Sequence, residues 1–218
     1  MKRDTYDLVI LGAGFAGSLL AMGARRLGLD VAVFDKSRHP RFAIGESSTP
    51  VANRVLRDLA RRYDLPRLEP LAKYGPWQRA YPQIVSGLKR GFSYFEHRPD
   101  EPFRPDRDHG NELLVAASSD DESSDTQWLR ADVDQFLAEE ARASGAPVWE
   151  AARIDWLTLD ADGRWTITGE RSVDPRGGEE RGCEAFEVRA RLLVDGTGEA
   201  SLVTKTLGIP TQTERLFT

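Results

Sequence analysis

Two kinds of hydrophobic pattern alternate along the chain. Residues 7–11 (Asp-Leu-Val-Ile-Leu) are almost continuously apolar, the mark of a short strand buried on both faces. They run into Gly12-Ala13-Gly14-Phe15-Ala16-Gly17. Residues 15–27 are then rich in Ala, Leu, Met and Arg, which favour helix, and Gly28 supplies a stop. Residues 31–34 (Val-Ala-Val-Phe) predict a second strand ending at Asp35. Together these make a β-α-β unit of about thirty residues. Residues 36–48 read as loop. Thr49-Pro50 opens a helix to Tyr63, with Val51, Val55, Leu56 and Leu59 on one face.

The middle of the chain is less periodic. Residues 64–83 are punctuated by proline and read as irregular. Residues 86–95 alternate well enough for one strand, 97–111 read as loop, and 112–117 as another strand. Residues 118–126 are polar without apolar anchors and read as a solvated connection. Asp132-x-x-Gln135 resembles a capping box for a helix reaching Ser144, with Val133, Phe136, Leu137 and Ala141 inward. Strands are expected at 148–159 and 164–169, joined by a turn at Asp162-Gly163. A loop over 171–183 leads to a strand over 185–194. That strand ends in Asp195-Gly196-Thr197-Gly198, followed by a short helix to Leu207.

Composition narrows the classes. With 218 residues, 40% of them hydrophobic and 30% charged, the chain excludes collagen-like, low-complexity and wholly disordered readings. A formal net charge of −5 argues against a nucleic-acid surface. No apolar run approaches the ~18 residues of a membrane span, and the N-terminus does not read as a secretory signal. The one cysteine, Cys183, cannot form an internal disulfide, so a reducing cytoplasm is expected. It lies in a polar, glycine-rich stretch without a neighbouring histidine to activate it. His39, His97 and His109 are scattered, and no metal is expected from their spacing. Gly45-Glu46-Ser47 is not the G-x-S-x-G elbow of a serine hydrolase.

The glycine string stands in the context that gives it meaning. It follows an apolar strand, opens a helix and precedes a strand ending in an acid 18 residues after Gly17. Gly12 permits the tight turn, Gly14 a close approach of backbone to pyrophosphate, and Gly17 close packing of helix on strand. The helix N-terminus offers N–H groups and partial positive charge to phosphates. Asp35 can accept hydrogen bonds from a ribose and disfavours a 2′-phosphate. FAD or NAD suits such a site better than NADP, and the string alone does not choose between them.

Three later segments carry a resemblance. His39-Pro40-Arg41-Phe42-Ala43-Ile44-Gly45-Glu46-Ser47-Ser48-Thr49-Pro50 resembles the P-R-x-x-I-G-E-S segment of flavin-dependent halogenases and their close relatives. Arg130-Ala131-Asp132-Val133-Asp134-Gln135-Phe136-Leu137 resembles the R-x-x-x-D-x-x-L segment of hydroxylase-type flavoproteins. Leu192-Leu193-Val194-Asp195-Gly196-Thr197-Gly198 is similar to their D-A-T/S-G segment, with Gly196 in place of the usual Ala. The order is right and the segments cover nearly the whole chain.

The resemblance implies an α/β fold. A Rossmann-like FAD-binding domain, three-layered with a mostly parallel sheet, would span 1–218, and residues 74–118 would contribute to an antiparallel substrate-binding sheet. It implies FAD as cofactor. Gly12, Gly14, Phe15, Ala16 and Gly17 would meet its pyrophosphate, Asp35 and Lys36 would lie at its ribose, and Arg41 and Arg130 along its length. Gly45, Glu46 and Ser47 would form a strap near the isoalloxazine, with Asp195 and Gly198 orienting the cofactor. Lys89-Arg90-Gly91-Phe92 resembles the K-x-G-φ string that carries the essential lysine of the halogenases. There, a flavin hydroperoxide oxidises halide, and the lysine guides hypohalous acid to an electron-rich carbon. The alternative for Lys89 is a strand lysine with its head in water. Lys73 is the second candidate, behind Lys89 because Lys-Tyr-Gly-Pro lacks the strand context.

The W-x-W-x-I-P signature of these enzymes is not present among Trp77, Trp128, Trp149, Trp156 and Trp165. In the family that signature and a later G-D segment lie beyond the region matched here, and related flavoproteins are roughly twice this length. The chain is therefore expected to be incomplete, the first half of a halogenase-like enzyme or a piece needing a complementary C-terminal half. Its partners would be a small-molecule substrate and a separate flavin reductase. A flavin-dependent hydroxylase, a geranylgeranyl-reductase-like enzyme and a non-catalytic FAD-binding fragment are the alternatives.

Overall fold

The apolar runs at 7–11 and 31–34 become adjacent parallel strands, and everything else in their part of the molecule is laid against them. The computed structural model describes residues 4–116, 118–172 and 182–210. It divides into two units, one made of residues 1–42 and 131–218, the other of residues 43–130.

The first unit holds a six-stranded sheet in the order β7-β2-β1-β10-β9-β8. β1 (Asp4–Leu11) pairs in parallel with β2 (Val31–Phe34) on one side and with β10 (Cys183–Asp195) on the other. β7 (Val148–Trp149) adds a parallel strand beside β2. β9 (Trp165–Ser172) and β8 (Ala152–Leu159) continue beyond β10 as antiparallel strands. The fold is thus α/β with a mostly parallel sheet, a Rossmann-like arrangement carrying an antiparallel extension.

Period-two alternation sends neighbouring side chains to opposite faces. Val9, Leu11, Ala32 and Phe34 join Trp165, Ile167, Phe186 and Val188 in one core cluster. Leu8 and Ile10 are buried on the other face. Helix α1 (Phe15–Arg26) packs there, with a Cβ on Gly17 falling 3.3 Å from Ile10.

In the second unit, α2 (Pro50–Arg62) starts at Thr49, whose hydroxyl accepts the Ala52 N–H at 3.2 Å. A 3-10 helix (Pro66–Ala72) and α3 (Tyr74–Ala80) follow. They surround Trp77, which is fully buried and donates its indole N–H to Ile84 O at 2.9 Å. Two antiparallel pairs complete the unit. β3 (Ser86–Lys89) pairs with β6 (Asp125–Trp128), and β4 (Gly91–Phe95) with β5 (Glu112–Ala116).

Several expectations are corrected. The strand expected over 86–95 breaks at Arg90 into β3 and β4, which belong to different sheets. Gly91 makes the break feasible, since a Cβ there would lie 2.3 Å from Val115 O. The polar connection over 118–126 ends in a buried strand, β6, and residues 64–83 are largely helical. The strand expected over 148–159 is two strands, β7 and β8, separated by Ala151 at φ 49°. Helix α4 (Arg130–Ala143) begins two residues before Asp132, so Asp132 sits in its first turn and not at a capping box. The terminal helix is a 3-10 turn (Gly198–Ala200) and a short α5 (Leu202–Thr206), parted by left-handed Ser201. Most of the loop expected over 171–183 lies outside the described residues.

Candidate functional site

The C-terminal ends of β1, β2 and β10 meet in a crevice within the first unit, where open α/β sheets bind ligands. Backbone bonds fix its floor. Gly12 N–H reaches Phe34 O at 2.7 Å, and Gly196 N–H reaches Leu11 O at 2.7 Å. Gly12 has φ +105°, and a Cβ there would stand 2.4 Å from Gly196 O. A Cβ on Gly17 would stand 2.0 Å from Gly12 O. Glycine at both positions follows from backbone contact alone. Gly196, where the resemblance expects Ala, is close-packed too: a Cβ would lie 2.9 Å from Leu11 O.

Helix α1 opens at Gly14 without a side-chain cap and without an acid in its first turn. Its N-terminus, with Phe15 and Ala16, therefore presents its positive end uncompensated by a carboxylate of its own. Asp35 is buried and closes the neighbouring side. Its Oδ2 accepts from Ala13 N–H at 2.8 Å and from Arg41 at 3.2 Å, and its Oδ1 from Ser37 N–H at 2.9 Å. A carboxylate has about four lone-pair sites, so capacity for one more donor remains. Arg41 also faces the fully buried Asp134 at 3.8 Å. The structure thus places the Arg41 guanidinium between two carboxylates, where it balances their charge. A cleft of about 610 Å³ opens here, lined by Gly12, Asp35, exposed Lys36, Arg41, Ile154 and Thr197 among others.

Asp195 works on its own loop. It accepts from Thr197 N–H at 3.0 Å, Thr197 Oγ1 at 2.6 Å and Val203 N–H at 2.8 Å. Partial burial pushes its pKa up, but these hydrogen bonds outweigh burial and hold it below the usual carboxylate value. It is ionised and structural at neutral pH. Gly198 follows at φ +64°.

The second unit carries a different cluster. Gly45, at φ +91°, leads into Glu46-Ser47-Ser48, which lies along β6. Trp128 N–H bonds Glu46 O at 2.8 Å, and Ser48 N–H bonds Thr126 O at 3.1 Å. Arg130 donates to Ile44 O at 2.6 Å and Gly45 O at 3.3 Å, so it clamps the start of this strap. The Glu46 side chain is exposed.

Lys89, on β3, is only 7% exposed. Its ammonium donates to Ser47 Oγ and to Ser48 O, the latter at 2.6 Å, and stands 3.9 Å from the Phe92 ring centre. Burial pulls its pKa down, and the charge of Asp125 pulls it back up; the net direction is down. This is not a surface lysine with its head in water. Lys89 and Ser47, named separately from sequence, are brought into direct contact.

Asn53 and Asp125 were not named from the sequence, whereas Lys73 was, as the second lysine candidate. Buried Asn53 and Asp125 form a polar cluster with half-buried Lys73, with Asn53 Nδ2 at 2.6 Å and Lys73 Nζ at 3.0 Å from Asp125 Oδ1. Asp134, the acid of the R-x-x-x-D-x-x-L segment, stands on the otherwise apolar face of α4 and faces Arg41. Cys183 is exposed. Among the described residues no helix is long and apolar enough to cross a membrane.

Comparison with known proteins agrees with this geometry. Residues 10–65 match the NAD(P)-binding Rossmann-like domain family. The chain is 28% identical to tetracycline 7-halogenase of Kitasatospora aureofaciens over 97% of its own length and 34% of that enzyme's. It is 29% identical to monodechloroaminopyrrolnitrin halogenase PrnC of Pseudomonas fluorescens, over 94% of this chain and 36% of that one. The crystal structure of halogenase PltM in complex with phloroglucinol and FAD superposes with a TM-score of 0.75 at 26% identity, covering 95% of this chain and 37% of PltM. These relatives are about two and a half to three times as long as the chain, not the twofold expected from its sequence. Over nearly its whole length the chain is similar, in sequence and in fold, to flavin-dependent halogenases, of which it spans about a third.

Proposed function

We propose that this chain is the flavin-binding and lysine-bearing part of a halogenase that acts on an aromatic or otherwise electron-rich small molecule. The observation that carries this reading is Lys89. It is a buried ammonium, held by a hydroxyl and a carbonyl, at the K-x-G-φ position of a chain similar to halogenases.

FAD is the cofactor in this reading, and the residues present fit it. Gly12 and Gly17 let the first turn close on backbone with which any Cβ would collide, the start of α1 suits the diphosphate, and Asp35 retains an acceptor site for a ribose hydroxyl. Lys36, Arg41 and Thr197 line the same cleft. When reduced by a separate flavin reductase, FAD would supply the oxygen chemistry that oxidises halide. The protein's own part is to hold a proton donor ready. Lys89 donates through an ammonium N–H, which would polarise an electrophilic halogen species toward the substrate carbon. Burial pulls its pKa down and so favours the free amine, the form that can itself accept halogen, against the opposing charge of Asp125. Ser47 orients the ammonium, and Arg130 holds the strap that carries Ser47. A complementary segment would supply the rest of the substrate pocket. The reaction is assigned to the cytoplasm, where Cys183 stays reduced.

The test is Lys89→Ala in the complete enzyme. Halogenated product should fall at least a hundredfold while bound flavin stays at the wild-type level. Wild-type halogenation in that variant would remove Lys89 from the reaction.

A further inference from the structure

Lys89 shares its strand pair with a buried carboxylate. The register of β3 and β6 sets Asp125 directly opposite Lys89. Gln127 is bridged to Gly87 on one side and to Ser47 on the other, so β6 runs between β3 and the Glu46-Ser47-Ser48 strap. The Lys89 stem must therefore pass over β6, on the face where its cross-strand partner Asp125 stands, before its ammonium meets Ser47 and Ser48.

Asp125 is only 1% exposed. Its Oδ1 is fixed by Asn53 at 2.6 Å and Lys73 at 3.0 Å. Its Oδ2 is buried and has no hydrogen-bond donor among the described residues. A carboxylate so placed is expensive to bury unless its charge is used, and an ion pair with one partner leaves the field of the other oxygen available.

We propose that Asp125, held by Asn53 and shared with Lys73, is a positioning residue that sets the protonation state of Lys89. The proposal rests on the reading of Lys89 as the reactive amine. Its physical content is a contest. Burial favours the neutral amine, whereas a neighbouring carboxylate favours the ammonium, and Asp125 is the charged group that acts on Lys89. The other groups around the ammonium, Ser47, Ser48 and the Phe92 ring, carry no charge. Lys73 draws on the same carboxylate, so it weakens the hold of Asp125 on Lys89. The two lysines compete for one anion, and the balance tunes how readily Lys89 gives up a proton.

The experiment reads the amine directly and needs no turnover. Competitive acetylation of the 218-residue chain, followed residue by residue by mass spectrometry between about pH 6 and 11, gives the titration midpoint of Lys89. Exposed Lys36 serves as the internal reference. Asp125→Asn should lower the Lys89 midpoint by about one pH unit or more, and Lys73→Met should raise it, with Lys36 unchanged in both. If Asp125→Asn fails to fold, the Lys73→Met variant decides alone, since Lys73 lies near the surface. An unmoved Lys89 midpoint in the folded variants would overturn the proposal. That result would leave the Lys89→Ala halogenation test untouched. Conversely, halogenation surviving Lys89→Ala would remove the catalytic reading even where the midpoint moves.

Discussion

At Gly17 a single hydrogen atom separates a working turn from a collision. A Cβ there would stand 2.0 Å from the Gly12 carbonyl oxygen, which is backbone and tied into the end of β1. Relief requires α1 to move away from the strand. Overpacking of this kind costs about 1–3 kcal/mol, and here it also displaces the helix start proposed to face the diphosphate. Gly17→Ala should lower the thermal midpoint by several degrees and reduce flavin retained after desalting at least tenfold. Gly28→Ala is the control. Its φ of +81° strains any side chain, but nothing lies within 4 Å of the added carbon, so it should lose about 1 kcal/mol of stability and keep its flavin. Equal flavin retention in the two variants would contradict the assignment of Gly17.

At the scale of elements, the segment after β2 is latched to β7 and β8. Asp35 N–H bonds Trp149 O at 2.8 Å and Ala152 N–H bonds Asp35 O at 2.9 Å. Glu150 completes the latch. Its Oε1 accepts from the His39 backbone at 3.1 Å and from His39 Nδ1 at 2.5 Å, and its Oε2 faces Arg142 at 3.2 Å. Burial alone would raise the Glu150 pKa, but His39 and Arg142 outweigh it and bring the value to about 2. The folded value is thus depressed from 4.5. The latch contributes fully above pH 4.5 and is lost as pH falls from there toward 2. Glu150→Gln should cost about 2 kcal/mol at neutral pH, and its stability should fall less steeply than wild type through that acid window. Parallel pH-dependence in the two proteins, followed by chemical denaturation, would deny Glu150 this role. None of this latch was legible from the sequence, because His39 and Glu150 are far apart along the chain. The β1-α1-β2 unit was legible because its contacts are local and its strands are buried on both faces. β6 was not: Asp-Thr-Gln-Trp has no apolar alternation, and it is a strand because β3 and the strap bond both its edges. The break at Arg90 was hidden for the same reason, since alternation continues unchanged across a change of partner.

Across the whole molecule, the cleft proposed to hold the diphosphate and ribose of FAD and the groups proposed to move halogen fall into different units. The cleft lined by Gly12, Asp35, Lys36, Arg41 and Thr197 is made entirely within residues 1–42 and 131–218. Lys89, Ser47, Lys73 and Asp125 belong to residues 43–130. Cofactor retention should therefore be separable from the chemistry of the lysine. The 218-residue chain, incubated with FAD and desalted, should keep the visible absorption bands of bound flavin. Asp35→Ala should lose most of that absorption, because the carboxylate that organises Ala13, Ser37 and Arg41 is gone. Lys89→Ala should keep it, because Lys89 does not line the cleft. A colourless wild-type chain would mean either that binding needs groups from the remaining two thirds of the length of its relatives, or that the cofactor assignment is wrong, and a longer chain would decide between the two. Flavin lost equally from Asp35→Ala and Lys89→Ala would overturn the separation itself. Flavin kept in the second and lost in the first would show that cofactor retention depends on Asp35 and not on Lys89.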